Sequence, residues 1–255
     1  MSFKDLMEDS AERRDSNIIL ALDLTIEEPD RLLSRSLDIL RSTHPYICAV
    51  KINRHLTLPL GLLNGVREIL NLAEKLELPK IMDCKINDIG YTNRVIAEQY
   101  FKAGFDAVTA NPLVGWEEGL QPVFEVARDM GRGVILLVYM SHKASDEGYG
   151  RRVYEEETGK IRPQYLIFAE KALSWGADGA VVGATYPDKI SEVYGILGEN
   201  VPIYSPGIGF QGGMVEDAVT SGARYLIVGR SITRARDPGE AARSIRDLAR
   251  RALRP

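Results

Sequence analysis

Eight short apolar runs, rich in β-branched residues, constrain this chain more than any other feature. They are Asn17–Leu22, Tyr46–Ile52, Lys80–Cys84, Asp106–Ala110, Val134–Tyr139, Gly179–Val182, Pro202–Tyr204 and Tyr225–Val228. Runs so short and so continuously apolar read as strands covered on both faces. Helical patterns lie between them. Leu62, Val66, Ile69, Leu70, Ala73 and Leu76 keep one stripe, and Ile245, Leu248, Ala249 and Leu253 keep another. Gly104, Gly131, Gly176 and Gly222 each sit shortly before a strand, where a helix end favours a left-handed residue. Asp237-Pro238-Gly239-Glu240 reads as the start of a last helix, with a capping Asp and Pro at the first helical position. Eight strands with intervening helices in 255 residues predict a single (β/α)₈ TIM barrel over residues 1–255. No internal repeat or linker divides it.

One interval is out of scale. The segment Met140–Ala177 separates strands five and six, and its surplus, Ser145–Pro163, is rich in charge, Gly and Tyr. It predicts an extended loop on the active face, with room for a short hairpin of its own.

Charge and composition remove several classes of function. A net charge of −4 argues against a general nucleic-acid partner, which needs a basic face. No apolar run approaches the roughly 20 residues of a membrane span. Cys48 and Cys84 fall inside apolar runs with no metal-ligand spacing, so they read as reduced core residues. The first sixteen residues are polar and charged and hold no apolar signal region. These features predict a cytosolic protein.

Barrel enzymes carry their chemistry at the C-terminal ends of the strands. Those ends read Asp23, Lys51 with Asn53, Asp83 with Lys85, Asn111, Ser141 with His142, Thr185, Pro206-Gly207 and Gly229-Arg230. The densest is Lys80–Thr92. Asp83 and Lys85, two apart on a strand, share one face, and Asp88 follows in the turn or the first helical residues. Dehydrating an unpaired charge costs several kcal/mol, so ions gathered at a strand tip imply partners or a ligand. The last two strands lead into Pro206-Gly207-Ile208-Gly209-Phe210-Gln211-Gly212-Gly213 and Gly229-Arg230-Ser231. Loops in these two positions of a barrel often bind phosphate, and Arg230 can grip it with a forked donor. Gly207, Gly209 and Gly212 also fit the G-x-G-x-x-G of a dinucleotide fold. The match comes so late that one strand follows, too few for a doubly wound sheet.

With these residues in view, the chain resembles the orotidine 5′-phosphate decarboxylase family over nearly its whole length. Ala21-Leu22-Asp23 and Val50-Lys51-Ile52 look like the family's first two strand ends. Asp83-Cys84-Lys85-Ile86-Asn87-Asp88-Ile89 is similar to its D-x-K-x-x-D-I signature, and Tyr139-Met140-Ser141-His142 to its fifth strand end. The glycine loops, with Gln211 and Arg230, resemble its phosphate-gripping loops. The D-x-K-x-x-D element by itself marks a wider group that includes metal-dependent sugar-phosphate lyases and decarboxylases. Met140-Ser141-His142 and Gln211 favour the orotidine branch.

The resemblance implies decarboxylation of orotidine 5′-monophosphate to uridine 5′-monophosphate, with no metal and no organic cofactor. It implies an alternating charged array of Lys51, Asp83, Lys85 and Asp88, with Lys85 protonating C6 as CO₂ leaves. It implies a homodimer in which Asp88, Ile89 and Thr92 complete the neighbour's site. Asp23 and Lys51 would contact ribose hydroxyls, and Ser141 the pyrimidine. Gln211, Arg230 and the Gly209 and Gly229 amides would hold the phosphate, with Pro206 beside them. Two features depart from the family pattern: the long Ser145–Pro163 segment, and Tyr186 where many similar sequences carry Arg. A metal-dependent enzyme of the wider group and a non-catalytic nucleotide-binding barrel are the rival readings.

Overall fold

The computed structural model describes residues 1–25, 28–156 and 159–253. Eight parallel strands close into a barrel. They are β1 (Ile18–Ala21), β2 (Ala49–Asn53), β3 (Lys80–Ile86), β4 (Ala107–Ala110), β5 (Gly133–Tyr139), β6 (Gly179–Val182), β7 (Ile203–Pro206) and β8 (Ala223–Val228). β1 pairs with β8 through Ile18↔Leu226 and Leu20↔Val228, which completes the ring. All eight predicted runs are strands of this barrel, shifted at their ends by a few residues. The fold is a (β/α)₈ TIM barrel.

The physical basis is visible strand by strand. β1 and β5 are buried along their whole length, one side toward the lumen and the other toward the helices. The helices end where the sequence changes character. Gly104, Gly131, Gly176 and Gly222 all take positive φ, a region that costs a residue with a Cβ about 1–2 kcal/mol. The last helix, Pro238–Leu253, is capped as predicted, with Glu240 N–H donating to Asp237 Oδ1 at 3.0 Å.

Two findings go beyond the sequence reading. The polar N-terminal segment forms a helix, Phe3–Arg14, with a reciprocal Ser2/Asp5 capping box. It buries Phe3 and Met7 against Ile19, Cys48, Tyr204 and Tyr225, and so plugs the N-terminal mouth of the barrel. Two apolar residues one turn apart are too weak a signal to mark it in an otherwise charged stretch. The second lies in the Ser145–Pro163 segment, where a helical turn, Ser145–Gly148, precedes the hairpin for which the sequence left room, two antiparallel strands, Arg152–Glu155 with Lys160–Pro163. Residues 157 and 158 of this segment lie outside the described residues. Arg162 ties the hairpin to the following helix through Glu170 at 2.5 Å and within itself through Glu155 at 3.0 Å.

No helix among the described residues is long and apolar enough to cross a membrane. Cys48 and Cys84 are buried free thiols, and burial pushes both up to about 12, so neither supplies a thiolate.

Candidate active site

A cavity of about 460 Å³ opens at the C-terminal ends of the strands. Its floor holds the ionic cluster. Lys51 Nζ lies 2.5 Å from Asp83 Oδ2, and Lys85 Nζ lies 2.5 Å from Asp83 Oδ1. One carboxylate is thus held between two ammoniums, each on its own oxygen. The Lys51 side chain is 7% exposed, Asp83 12% and Lys85 37%, so the charge becomes more accessible toward Lys85.

The electrostatics follow from this geometry. Burial alone would pull Lys51 down, but the charges of Asp83 and Asp23 outweigh it and raise Lys51 above the ordinary lysine range. Burial alone would raise Asp83. The charges and hydrogen bonds of Lys51 and Lys85 outweigh it and hold Asp83 well below the usual carboxylate range. Lys51 and Asp83 are therefore both ionised across neutral pH.

A stability prediction follows with a definite sign. A depressed carboxylate contributes stability above its unfolded value of about 3.9 and loses it as pH falls through the folded value. Lys51, being raised, keeps its contribution below about 10.4 and loses it as pH rises through its own folded value. Asp83→Asn leaves a buried ammonium unpaired, a change worth about 3–5 kcal/mol. The urea-midpoint difference between wild type and Asp83→Asn should hold from about pH 5 to 8, narrow below about pH 4, and narrow again at alkaline pH as Lys51 gives up its proton. A gap that closes near pH 6 would contradict the depressed Asp83.

Lys85 reaches its position by a backbone irregularity. The β3–β4 register shifts between Met82 and Ile86, and Lys85 takes φ +50°. A non-glycine residue held there stores about 1–3 kcal/mol of strain. Buried Thr109 on β4 secures it. The Lys85 N–H donates to Thr109 Oγ1 at 2.9 Å, and the Thr109 hydroxyl donates to Asp83 Oδ1 at 3.1 Å. Sequence reasoning missed Thr109. A hydroxyl inside the apolar run Val108-Thr109-Ala110 was the available signal.

The other predicted residues divide into two groups. Asp23, Ser141, Pro206, Gln211, Gly229 and Arg230 line the same cavity as Lys51, Asp83 and Lys85. The Asp23 Oδ1 atom is buried without a hydrogen-bond partner, an acceptor that a ligand hydroxyl would satisfy. Asp88, Ile89 and Thr92 do not line it. They stand at the outer edge of the rim, where Asp88 is exposed and Ile89 is 69% exposed. Buried Asn93 fixes that turn, accepting from the Asp88 N–H at 3.0 Å and donating to the Asp88 and Gly119 carbonyls.

Gly209 departs from expectation. Its N–H donates to the Gly213 carbonyl at 2.8 Å, and it does not line the cavity. Gly209 thus commits that donor inside the loop. It takes φ +70°, and a Cβ there would meet Ser231 Oγ at 2.6 Å. Tyr186, the other departure from the family pattern, donates from its hydroxyl to the His142 carbonyl at 3.0 Å and meets the Tyr139 ring edge-on. It braces the strand-five end that carries Ser141. His55, Phe210 and Arg234 also line the cavity without having been singled out. Among the described residues, no three His, Cys, Asp or Glu side chains gather in a metal-binding cluster.

Residues 16–245 match the orotidine 5′-phosphate decarboxylase / HUMPS family. The chain is 36% identical over 241 residues to the orotidine 5′-phosphate decarboxylase of Methanosarcina mazei, covering 94% of this chain and 98% of that one. Among solved structures it is similar to Leishmania donovani OMP decarboxylase, with TM-score 0.83 and 26% identity over 99% of each chain. It is also similar to the Methanocaldococcus jannaschii orotidine 5′-monophosphate decarboxylase complexed with the inhibitor BMP. There the TM-score is 0.76 and the identity 27%, over 94% of this chain and 99% of that one.

Proposed function

Because the chain belongs to the orotidine 5′-phosphate decarboxylase / HUMPS family, we propose that it converts orotidine 5′-monophosphate to uridine 5′-monophosphate and CO₂. The observation that carries this reading is a single cavity joining the Lys51–Asp83–Lys85 cluster to the Gln211 and Arg230 rim. A nucleotide would lie in this cavity with its base at the ions and its phosphate at the rim.

Breaking the bond from C6 to the carboxylate leaves an electron pair in an sp² orbital on carbon, with no ring position to delocalise it well. An ammonium beside that carbon stabilises the pair and then supplies the proton. Lys85, the more accessible lysine of the cluster, has both roles. Its N–H bond breaks, a C6–H bond forms, CO₂ departs, and the neutral amine regains a proton from water. Opposite charges about 4 Å apart interact by roughly 4 kcal/mol at an effective dielectric near 20. Asp83 exerts that attraction on both lysines and fixes them before the reaction, so stabilising the transition state needs no rearrangement.

Lys51 and the unsatisfied Asp23 take the ribose hydroxyls, and Ser141 takes the pyrimidine. Gln211, Arg230 and the Gly229 amide hold the phosphate, with Pro206 at the turn into the loop. The active form is a homodimer of single barrel domains, with Asp88, Ile89 and Thr92 serving the partner's cavity. Exposure of Ile89 and Tyr91, at 69% and 80%, supports such a covered edge. The reaction is metal-free. Both oxygens of Asp83 already face ammoniums, which leaves that carboxylate engaged rather than offered to a cation.

The deciding experiment follows the fall in orotidine-monophosphate absorbance with purified protein, before and after exhaustive chelation. Equal turnover in both is the expected result. Loss on chelation would favour the metal-dependent enzymes of the wider group, and tight uridine-monophosphate binding without turnover would favour a binding barrel. Within the same assay, Arg230→Ala should raise the apparent KM by about 30- to 150-fold, the loss of a charge-assisted contact worth about 2–3 kcal/mol. Unchanged kinetics would remove Arg230 from the phosphate site.

A further inference from the structure

The phosphate end of the cavity holds more positive charge than the reading above uses. Arg234 lies four residues beyond Arg230 and lines the same cavity. Both guanidiniums face one ring. The Arg230 carbon stands 3.8 Å from the Phe210 centroid and the Arg234 carbon 5.6 Å. In the last helix, by contrast, Arg243 pairs with Glu240 at 2.9 Å and Arg250 with Asp15 at 2.5 Å. Arg234 forms no ion pair among the described residues, and a ring holds its charge at the cavity.

Phe210 itself needs an account. It is 57% exposed, at the tip of a loop otherwise built of glycine and small turns. The loop is pinned under it: the Phe210 N–H donates to Ser231 Oγ at 3.1 Å, and the Ser231 hydroxyl donates to the Ile208 carbonyl at 3.3 Å. The ring is thereby delivered to the two guanidiniums. Stacking on an aromatic face orients a guanidinium while leaving its in-plane N–H donors free.

A phosphate monoester has a second pKa of about 6 and is largely dianionic at neutral pH. One arginine neutralises half of that charge, and Gln211 and a backbone amide add none. Resting on the reading of this cavity as a nucleotide-phosphate site, we propose that Arg234 is a second phosphate-binding arginine and that Phe210 is the platform that sets both guanidiniums. The site is thus matched to the dianion, and its specificity for a phosphorylated over an unphosphorylated nucleoside is shared between two cations.

The test compares equilibrium binding of uridine 5′-monophosphate and of uridine to wild type, Arg234→Gln, Arg234→Lys and Phe210→Leu. Arg234→Gln should weaken monophosphate binding by about tenfold and leave uridine within about twofold. Arg234→Lys should recover part of the loss, because charge is restored without the fork. Phe210→Leu should weaken the monophosphate selectively, and combining it with Arg234→Gln should cost less than the product of the single effects. Monophosphate and uridine weakened alike by Arg234→Gln, or neither weakened, would overturn the proposal. Absence of orotidine-monophosphate turnover in wild type would instead sink the decarboxylase reading, and the monophosphate-to-uridine ratio would still judge Arg234.

Discussion

Lys85→Ala is expected to lower decarboxylation by about 10⁵-fold or more while uridine 5′-monophosphate still binds. Two contributions disappear together. Proton transfer by a positioned group is worth about 10²–10⁴ in rate, and a preorganised charge at the developing anion about 10²–10³. The loss should fall on kcat, because the lysine acts on charge that develops only in the transition state. On the proposed reading, ground-state binding rests mostly on the rim with Gln211 and Arg230, at the far end of the cavity. The local structure should survive. Lys85 is 37% exposed, and alanine leaves Asp83 paired to Lys51 at 2.5 Å. Single-turnover rates and equilibrium binding on the same preparation decide the matter. Turnover within a hundredfold of wild type would take the proton from Lys85 and return it to water or another group.

The second large effect concerns Asp88. In the single chain it stands on the outer rim, away from the cavity, with its own Oδ1 accepting from the Ile89 N–H at 2.8 Å. If it completes a partner's array, Asp88→Ala should lower kcat by about 10²-fold or more, although the mutated protomer's own cavity is untouched. Mixing then gives an unusual signature. Asp88→Ala and Lys85→Ala homodimers are both nearly inactive. A mixed dimer has one cavity with wild-type Lys85 and a wild-type Asp88 from across the interface. After random exchange of equal amounts, half of the dimers are mixed and half of their cavities intact, so about a quarter of wild-type activity should return. No recovery on mixing, with exchange verified, would place Asp88 in its own chain's chemistry or outside the chemistry altogether.

The barrel was legible because its determinants are local. Each strand is a short run of β-branched and apolar residues, four helix ends carry a glycine that reaches positive φ, and each pattern survives without knowledge of its neighbours. The order of elements then leaves little choice of topology. The residues at the strand ends were legible for the same reason: alternation places Asp83 and Lys85 on one face, and a barrel gathers all strand ends on one rim.

Other features are decided only by approach in three dimensions. Thr109 is one hydroxyl in an apolar strand until β4 lies beside the β3 bulge and presents it to Asp83 and Lys85. The Gly209 amide looks like an anion donor until the loop folds and spends it on Gly213. Arg234 is one more surface arginine until the glycine loop carries Phe210 across to it. The N-terminal helix is a charged stretch until Phe3 and Met7 find the open mouth of the barrel. Sequence alone thus determined the barrel and the charged and polar residues at its rim, since both rest on periodicity and residue type. Tertiary structure decided which donors remain free for a ligand, because a hydrogen bond or a ring contact depends on a partner far away in the chain.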